Sequence, residues 1–179
     1  SNNDGCVIAR SEESKALGIK MGDVFYQVKD VLEKNGVAVF SSNYNLYGDM
    51  SRRVMSLLST YTHKLDIYSI DEAFLDLTGM GNMEYLSSYC KQMVRDITKG
   101  TGILISLGVA PTKTLAKMAS KYAKKHKGYE GACFIDTEEK REKALRLFPV
   151  ENVWGIGYRH VKKLGYHGIH TLWDLTKHS

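Results

Sequence analysis

Two carboxylates stand side by side, Asp71 and Glu72, between the apolar runs Leu65-Asp66-Ile67-Tyr68-Ser69-Ile70 and Ala73-Phe74-Leu75-Asp76-Leu77. Like charges so close repel unless something cationic sits between them. A hard divalent ion such as Mg2+, which takes oxygen ligands, relieves that repulsion. Two such ions a few ångströms apart drive phosphoryl and nucleotidyl transfer. The plain alternative is a solvated Asp-Glu turn. Against it, Ile67, Ile70, Phe74 and Leu75 pin the pair to a packed hairpin.

A second pattern is cationic. Lys113, Lys117, Lys121 and Lys124 recur at helical spacing on one face, while Leu115, Met118, Ala119 and Tyr122 take the other. Residues 113–127 hold six lysines and no acid, more than the net charge of +5 carried by all 179 residues. Stacked ammonium groups repel along a helix, and a polyanion is their natural counterpart. A solvated face remains an equal alternative. The third pattern is Gly155-Ile156-Gly157, followed by Arg159, Lys162 and Lys163. Glycines let backbone N–H groups approach a phosphate, and the next helix N-terminus adds positive potential. A DNA-binding helix–hairpin–helix grips backbone in this way without reading bases; a plain tight turn is the competing reading.

Other chemistry is excluded or poorly supported. His63, His126, His160, His167, His170 and His178 are scattered with no zinc spacing, and neither GxSxG nor a P-loop occurs. Three widely spaced cysteines, Cys6, Cys90 and Cys133, make no disulfide framework and suit a reducing compartment. Composition is ordinary globular, 43% apolar and 25% charged. No run approaches the roughly 20 apolar residues of a membrane-spanning helix. Tyr44, Tyr47 and Met50 read as packing.

The elements that must position these groups follow from periodicity. Residues 1–40 read as short strands (Cys6–Ala9, Val24–Tyr26, Val37–Phe40) and small helices between glycine turns. Met50, Val54, Leu57, Leu58 and Tyr61 form one helical stripe; Met83, Leu86, Cys90, Met93, Val94 and Ile97 form another, stopped near Gly100 or Gly102. Strands are predicted at 65–70, 73–77, 103–109 and 132–135. Pro111 is read as opening the lysine helix. Thr137 caps a helix over 137–148, and a helix through Leu164 ends at Gly165. Thr171-Leu172-Trp173-Asp174 has capping-box form. Helix, strand, strand, helix, strand gives an α+β fold, a ferredoxin-like βαββαβ lacking its first strand. The polar start Ser1-Asn2-Asn3-Asp4-Gly5, without an initiator Met, reads as a fragment of a longer chain.

Six blocks occur in register: Asn2-Asn3-Asp4-Gly5-Cys6-Val7-Ile8-Ala9-Arg10, Ala16-Leu17-Gly18-Ile19-Lys20-Met21-Gly22, Ser41-Ser42-Asn43-Tyr44, Tyr68-Ser69-Ile70-Asp71-Glu72-Ala73-Phe74, Thr112-Lys113-Thr114-Leu115-Ala116-Lys117 and Val153-Trp154-Gly155-Ile156-Gly157. Together, and nearly end to end, they resemble the Y-family of translesion DNA polymerases in its UmuC-like branch. The resemblance implies a bacterial, cytoplasmic, SOS-response enzyme performing template-directed nucleotidyl transfer with two Mg2+ on primer–template DNA and dNTP. It implies fingers at 1–42 (with a palm-derived start), a palm at 43–125, and a palm/thumb junction with a partial helix–hairpin–helix thumb at 126–179.

Residue roles follow from the same resemblance. Asp71 would bind metal, and Glu72 would bind metal or position the primer 3′ end. Lys117 would contact the triphosphate, and so would Lys15, where many relatives carry arginine. The family's tyrosine three residues earlier is Glu12 here, and Arg10 is the substitute on offer. Gly155, Ile156, Gly157 and Arg159, with Lys121 and Lys124, would hold DNA. The family's first acidic strand and its aromatic steric gate have no counterpart in the sequence, so the chain by itself is expected to be inactive. A UmuD-type accessory dimer and a RecA filament are the implied partners. The rival is a non-catalytic DNA-binding or assembly module built on the lysine helix and the Gly-x-Gly hairpin. A two-metal nuclease is disfavoured because no second dense acidic cluster is present.

Overall fold

Helical segments dominate, and the short strands serve mainly to hold them. The computed structural model describes residues 5–178, so Asn2, Asn3 and Asp4 of the first motif block lie outside the described residues. Two compact units are formed, Ser1–Asp49 and Met50–Ser179.

In the first unit, helix α1 (Glu12–Ala16) begins where Ser11 accepts a hydrogen bond from the Ser14 N–H, and helix α2 (Phe25–Lys34) follows. Ser14, Ile19 and Leu32 are its buried residues. None of the three strands expected here forms, Cys6–Ala9 keeping only the bridging residue Cys6. Val24 makes a single antiparallel bridge to Cys6, and Phe25-Tyr26 already belong to α2. The apolar run Val24–Tyr26 continues as Phe25, Val28 and Leu32, spaced i, i+3, i+7, which is a helix stripe rather than strand alternation. Val37–Phe40 is irregular, with Val39 and Phe40 exposed.

Helix α3 (Tyr44–Leu58) carries the boundary between the units. In the second unit, β1 (Leu65–Ile67) pairs antiparallel with β2 (Ala73–Leu75), in register Leu65 with Leu75 and Asp66 with Phe74. Helix α4 (Met83–Thr101), capped by the Asn82 side chain, ends at Gly102. Strand β3 (Leu107–Val109), helix α5 (Lys113–Lys125) and strand β4 (Ala132–Phe134) make a parallel crossover. Helix α6 (Glu138–Leu147) starts at the Thr137 cap. Helices α7 (Tyr158–Tyr166) and α8 (Leu172–Thr176) complete the chain, the latter with the expected Thr171/Asp174 capping box.

The four strands expected in the second unit are present but shorter, because 68–70, 76–77 and 103–106 find no ladder partner. Nor do they form one sheet: β1–β2 and β3–β4 are separate pairs. Both pairs nevertheless share a helical layer. Met55, Leu58, Met93 and Ile97 from α3 and α4 pack under Leu65, Ala73, Leu75, Ile105 and Leu107. Three sequence boundaries shift. Thr112, not Pro111, caps α5; Gly165 lies inside α7; and a single 3₁₀ turn, Val150–Asn152, rather than an α-helix, precedes the Gly-x-Gly segment.

One contact fixes α5 against the strands. An added Cβ at Gly108 of β3 would lie 2.0 Å from the Ala116 carbonyl oxygen and 2.3 Å from the Ser120 nitrogen. Only glycine allows that approach. Met118, Ala119 and Ala123 of α5 then enter a second core with Cys133, Ala144, Leu145, Phe148 and Leu172.

Candidate functional site

The acidic pair sits in the turn of the β1–β2 hairpin. The Glu72 carbonyl accepts hydrogen bonds from the N–H groups of Tyr68 and Ser69, both at 3.0 Å, which closes the turn tightly. Ser69 then orients Asp71: its hydroxyl donates to the Asp71 Oδ1 at 2.7 Å. Asp71 is exposed. Glu72 faces α5, and the Lys117 ammonium donates to its Oε2 at 2.8 Å. The Lys117 side chain is only 20% exposed and that of Glu72 is 42% exposed.

Pleating explains the meeting. Leu65, Ala73 and Leu75 point into the core beneath the hairpin, so Asp66 and Phe74, opposite each other in the ladder, share the other face. Helix α5 lies over that face with Lys113 and Lys117 one turn apart. Lys113 pairs with Asp66, and its ammonium lies 4.6 Å from the Phe74 ring centre. The Lys117 ammonium lies 5.3 Å from the ring centre of Tyr68 and 4.9 Å from that of Trp154. Tyr68, Phe74 and Trp154 in turn contact one another, with centres 5.3–6.0 Å apart. The two faces of Lys117 are therefore a carboxylate and an aromatic wall, and both attract a cation.

The lysine stripe divides in two. Lys113, Lys117 and Lys121 are committed within the protein; Lys121 donates to the Asn152 carbonyl at 2.6 Å and lies over the Phe148 ring. Burial, and then the nearby Lys117 and Lys125, push the Lys121 ammonium below the ordinary lysine range, with Glu72 opposing. Lys124 is exposed at the far end of α5, next to Lys125. Of the four lysines expected to share one face, the first three thus have partners within the protein: Asp66, Glu72 and the Asn152 carbonyl. In the Gly-x-Gly segment, Gly155 has φ +89°, a conformation that favours glycine, while Ile156 packs on the core of α5 and α6. Gly157 is the N-cap of α7, which carries Arg159.

In the first unit, Arg10 donates from Nη1 to the Ile19 carbonyl at 3.0 Å. Lys15 pairs with Glu12 across one turn at 2.5 Å. The residue that departs from the family pattern is therefore the ion-pair partner of the neighbouring candidate.

Sequence reasoning did not give Asp66, Tyr68, Phe74 and Trp154 a place at the site. Alternation along the hairpin was signal enough for Asp66 and Phe74 to share a face with each other. For Trp154 no local signal exists, since only the fold brings it to Lys117.

The α+β fold that carries this acidic hairpin and lysine helix is shared with Y-family polymerases. The structure is similar to a Y-family DNA polymerase chimera of Dbh and Dpo4, with a TM-score of 0.83 and 27% identity over 98% of this chain and 50% of that one. A model of the impB/mucB/samB family matches residues 1–121, and the chain belongs to that family. It is 45% identical to the protein UmuC of Salmonella typhimurium (strain LT2) over 180 residues, covering 100% of this chain and 43% of that protein. It is 32% identical to DNA polymerase IV of Pelotomaculum thermopropionicum, covering 97% of this chain and 42% of that protein. The chain thus spans less than half the length of these curated relatives. No helix among the described residues is long and apolar enough to cross a membrane.

Proposed function

We propose that this chain is the fingers, palm and beginning of the thumb of an error-prone translesion DNA polymerase, working in the bacterial cytoplasm during the SOS response. The single observation that carries the reading is the Lys117–Glu72 pair. It brings the acidic hairpin and the basic helix, two motifs 45 residues apart in sequence, to one place. The names of its relatives as DNA polymerases support primer–template DNA and dNTP as the substrates.

Within this reading, 1–42 are fingers, 43–125 palm, and 126–179 the palm/thumb junction with the hairpin. Asp71 and Glu72 would hold Mg2+. Their oxygen donors suit a hard cation, Asp71 being exposed and turned by Ser69 and Glu72 being half-exposed. Among the described residues no group of three or more His, Cys, Asp or Glu gathers to hold a metal, so these two carboxylates are the donors on offer. When bound, the ion neutralises charge developing on the triphosphate and on the attacking 3′ oxygen. Lys117 would take a triphosphate oxygen in place of the Glu72 carboxylate, one anionic partner for another. Lys15 and Arg10 of the fingers contribute to the triphosphate. Gly155, Ile156, Gly157 and Arg159 hold the DNA backbone, with Lys124 beside them; Lys121 acts by tying the segment before the hairpin. The UmuD-type dimer and RecA filament belong to the same proposal as partners. With its cation under-liganded, the 179-residue chain alone adds no nucleotide.

The test is a chimera of the Salmonella UmuC in which this chain replaces the matching segment. Mg2+-dependent primer extension by the chimera, and none by the isolated chain, is the expected result. Primer–template binding without extension favours the DNA-binding module instead.

A further inference from the structure

We infer that Trp154 is a positioning residue that couples the triphosphate-facing Lys117 to the DNA-gripping hairpin. The inference rests on the polymerase reading above. Trp154 immediately precedes Gly155, the residue whose left-handed backbone starts the hairpin. Its ring takes three contacts from the acidic hairpin and the basic helix: Tyr68 at 5.3 Å, Phe74 at 5.8 Å and the Lys117 ammonium at 4.9 Å. One turn along α5, Lys121 donates to the Asn152 carbonyl. Two lysines of one helix therefore grip residues 152 and 154, and the Gly-x-Gly turn follows directly.

The consequence follows from exchange at Lys117. Its ammonium has two kinds of neighbour, one removable and one fixed. Glu72 would give way when phosphate competes for the ammonium. The rings of Tyr68 and Trp154 remain, and an ammonium over an aromatic face gains about 0.5–2 kcal/mol depending on its desolvation. Trp154 thus keeps Lys117 aimed while its anionic partner changes. By the same contact, a shift of the ammonium on binding triphosphate moves the indole and, through one peptide bond, Gly155. Occupancy of the nucleotide side is transmitted to the DNA-holding side without any long-range change of fold.

Trp173 must be silenced to read Trp154 alone. The Trp173 indole N–H is buried without a hydrogen-bond partner, so Trp173→Phe removes an unsatisfied donor and is compatible with folding. In that background, dNTP with Mg2+ is added to the 179-residue chain. Binding is followed by calorimetry, the indole by emission wavelength, and the amides of 155–157 by hydrogen exchange. The expected result is an emission shift on binding and a change of about fivefold in exchange at 155–157. Lys117→Met removes both responses. Trp154→Leu removes the exchange response while dNTP still binds, and Trp154→Phe, which keeps an aromatic face, restores it. If dNTP binds and residues 155–157 respond equally in Trp154→Leu, the coupling is overturned and the polymerase reading stands. If dNTP does not bind at all, the triphosphate role of Lys117 and the coupling fall, while the polymerase reading is decided by primer extension in the UmuC chimera.

Discussion

Replacing Gly108 by alanine tests whether close packing of β3 on α5 is what places the lysines. The new methyl carbon would sit 2.0 Å from the Ala116 carbonyl oxygen and 2.3 Å from the Ser120 nitrogen, with the Ala119 carbonyl carbon at 2.9 Å. All three are helix backbone atoms, so no side chain can swing aside. Non-bonded carbon and oxygen need more than 3 Å, and α5 must retreat by about 1 Å or more to restore ordinary contact. Over-packing against unyielding backbone in this way costs about 3 kcal/mol, the upper end of the usual range. For a chain of this length that corresponds to a fall of about 6–12 °C in the midpoint of thermal unfolding. The same retreat carries Lys117 away from Glu72, 2.8 Å apart in the native protein. Circular dichroism on heating gives the first quantity, and Trp154 emission in the Trp173→Phe background reports the second. Gly157→Ala is the matched control, because a Cβ there meets nothing within 4 Å; it is expected to shift the midpoint by no more than about 2 °C. A Gly108→Ala protein as stable as that control, with unchanged emission, would refute the packing argument.

Two smaller predictions follow from individual contacts. Tyr61 donates to Asp96 at 2.6 Å, and burial, then that hydrogen bond to the carboxylate, push its phenol from 10.0 up to about 12. The folded state thus holds this proton more tightly than the unfolded one, so the contribution is complete below pH 10 and lost as pH rises through about 12; denaturant melts at pH 9–11.5 should show the decline, and Tyr61→Phe should flatten it. Thr171→Ala removes one arm of the α8 capping box, where Thr171 and Asp174 each accept a backbone N–H of the other. A loss of about 1 kcal/mol in urea unfolding is expected, and no loss would show the box to be idle.

Much of the site was legible because it depends on local periodicity. The hairpin, its acidic tip and the facing lysine helix follow from alternation at 65–77 and from 3.6-residue spacing at 113–124, and the structure joins them through Lys117 and Glu72. Long amphipathic helices such as α3 and α4 were equally plain. What escaped was set by tertiary contact. The 103–109 strand shrank to Leu107–Val109 because strand length is decided by the neighbour that completes the ladder, not by the alternating residues themselves. Val24–Tyr26 went to a helix because three consecutive apolar residues satisfy either period. The internal use of Lys121 depends on the Asn152 carbonyl, 31 residues away, and no spacing rule reaches that far.

The central claim, that Asp71 and Glu72 are the acid pair of a nucleotidyl-transfer site, is tested most directly in the UmuC chimera by Asp71→Ala, with Asp66→Asn as the companion. Asp66 shares the hairpin but is paired with Lys113, so its change perturbs the same face without touching the tip. Primer extension lost by about a thousandfold or more in Asp71→Ala, with primer–template affinity within about twofold of the parent and Asp66→Asn still extending, is the predicted result. Extension by Asp71→Ala at the parent's rate would contradict it.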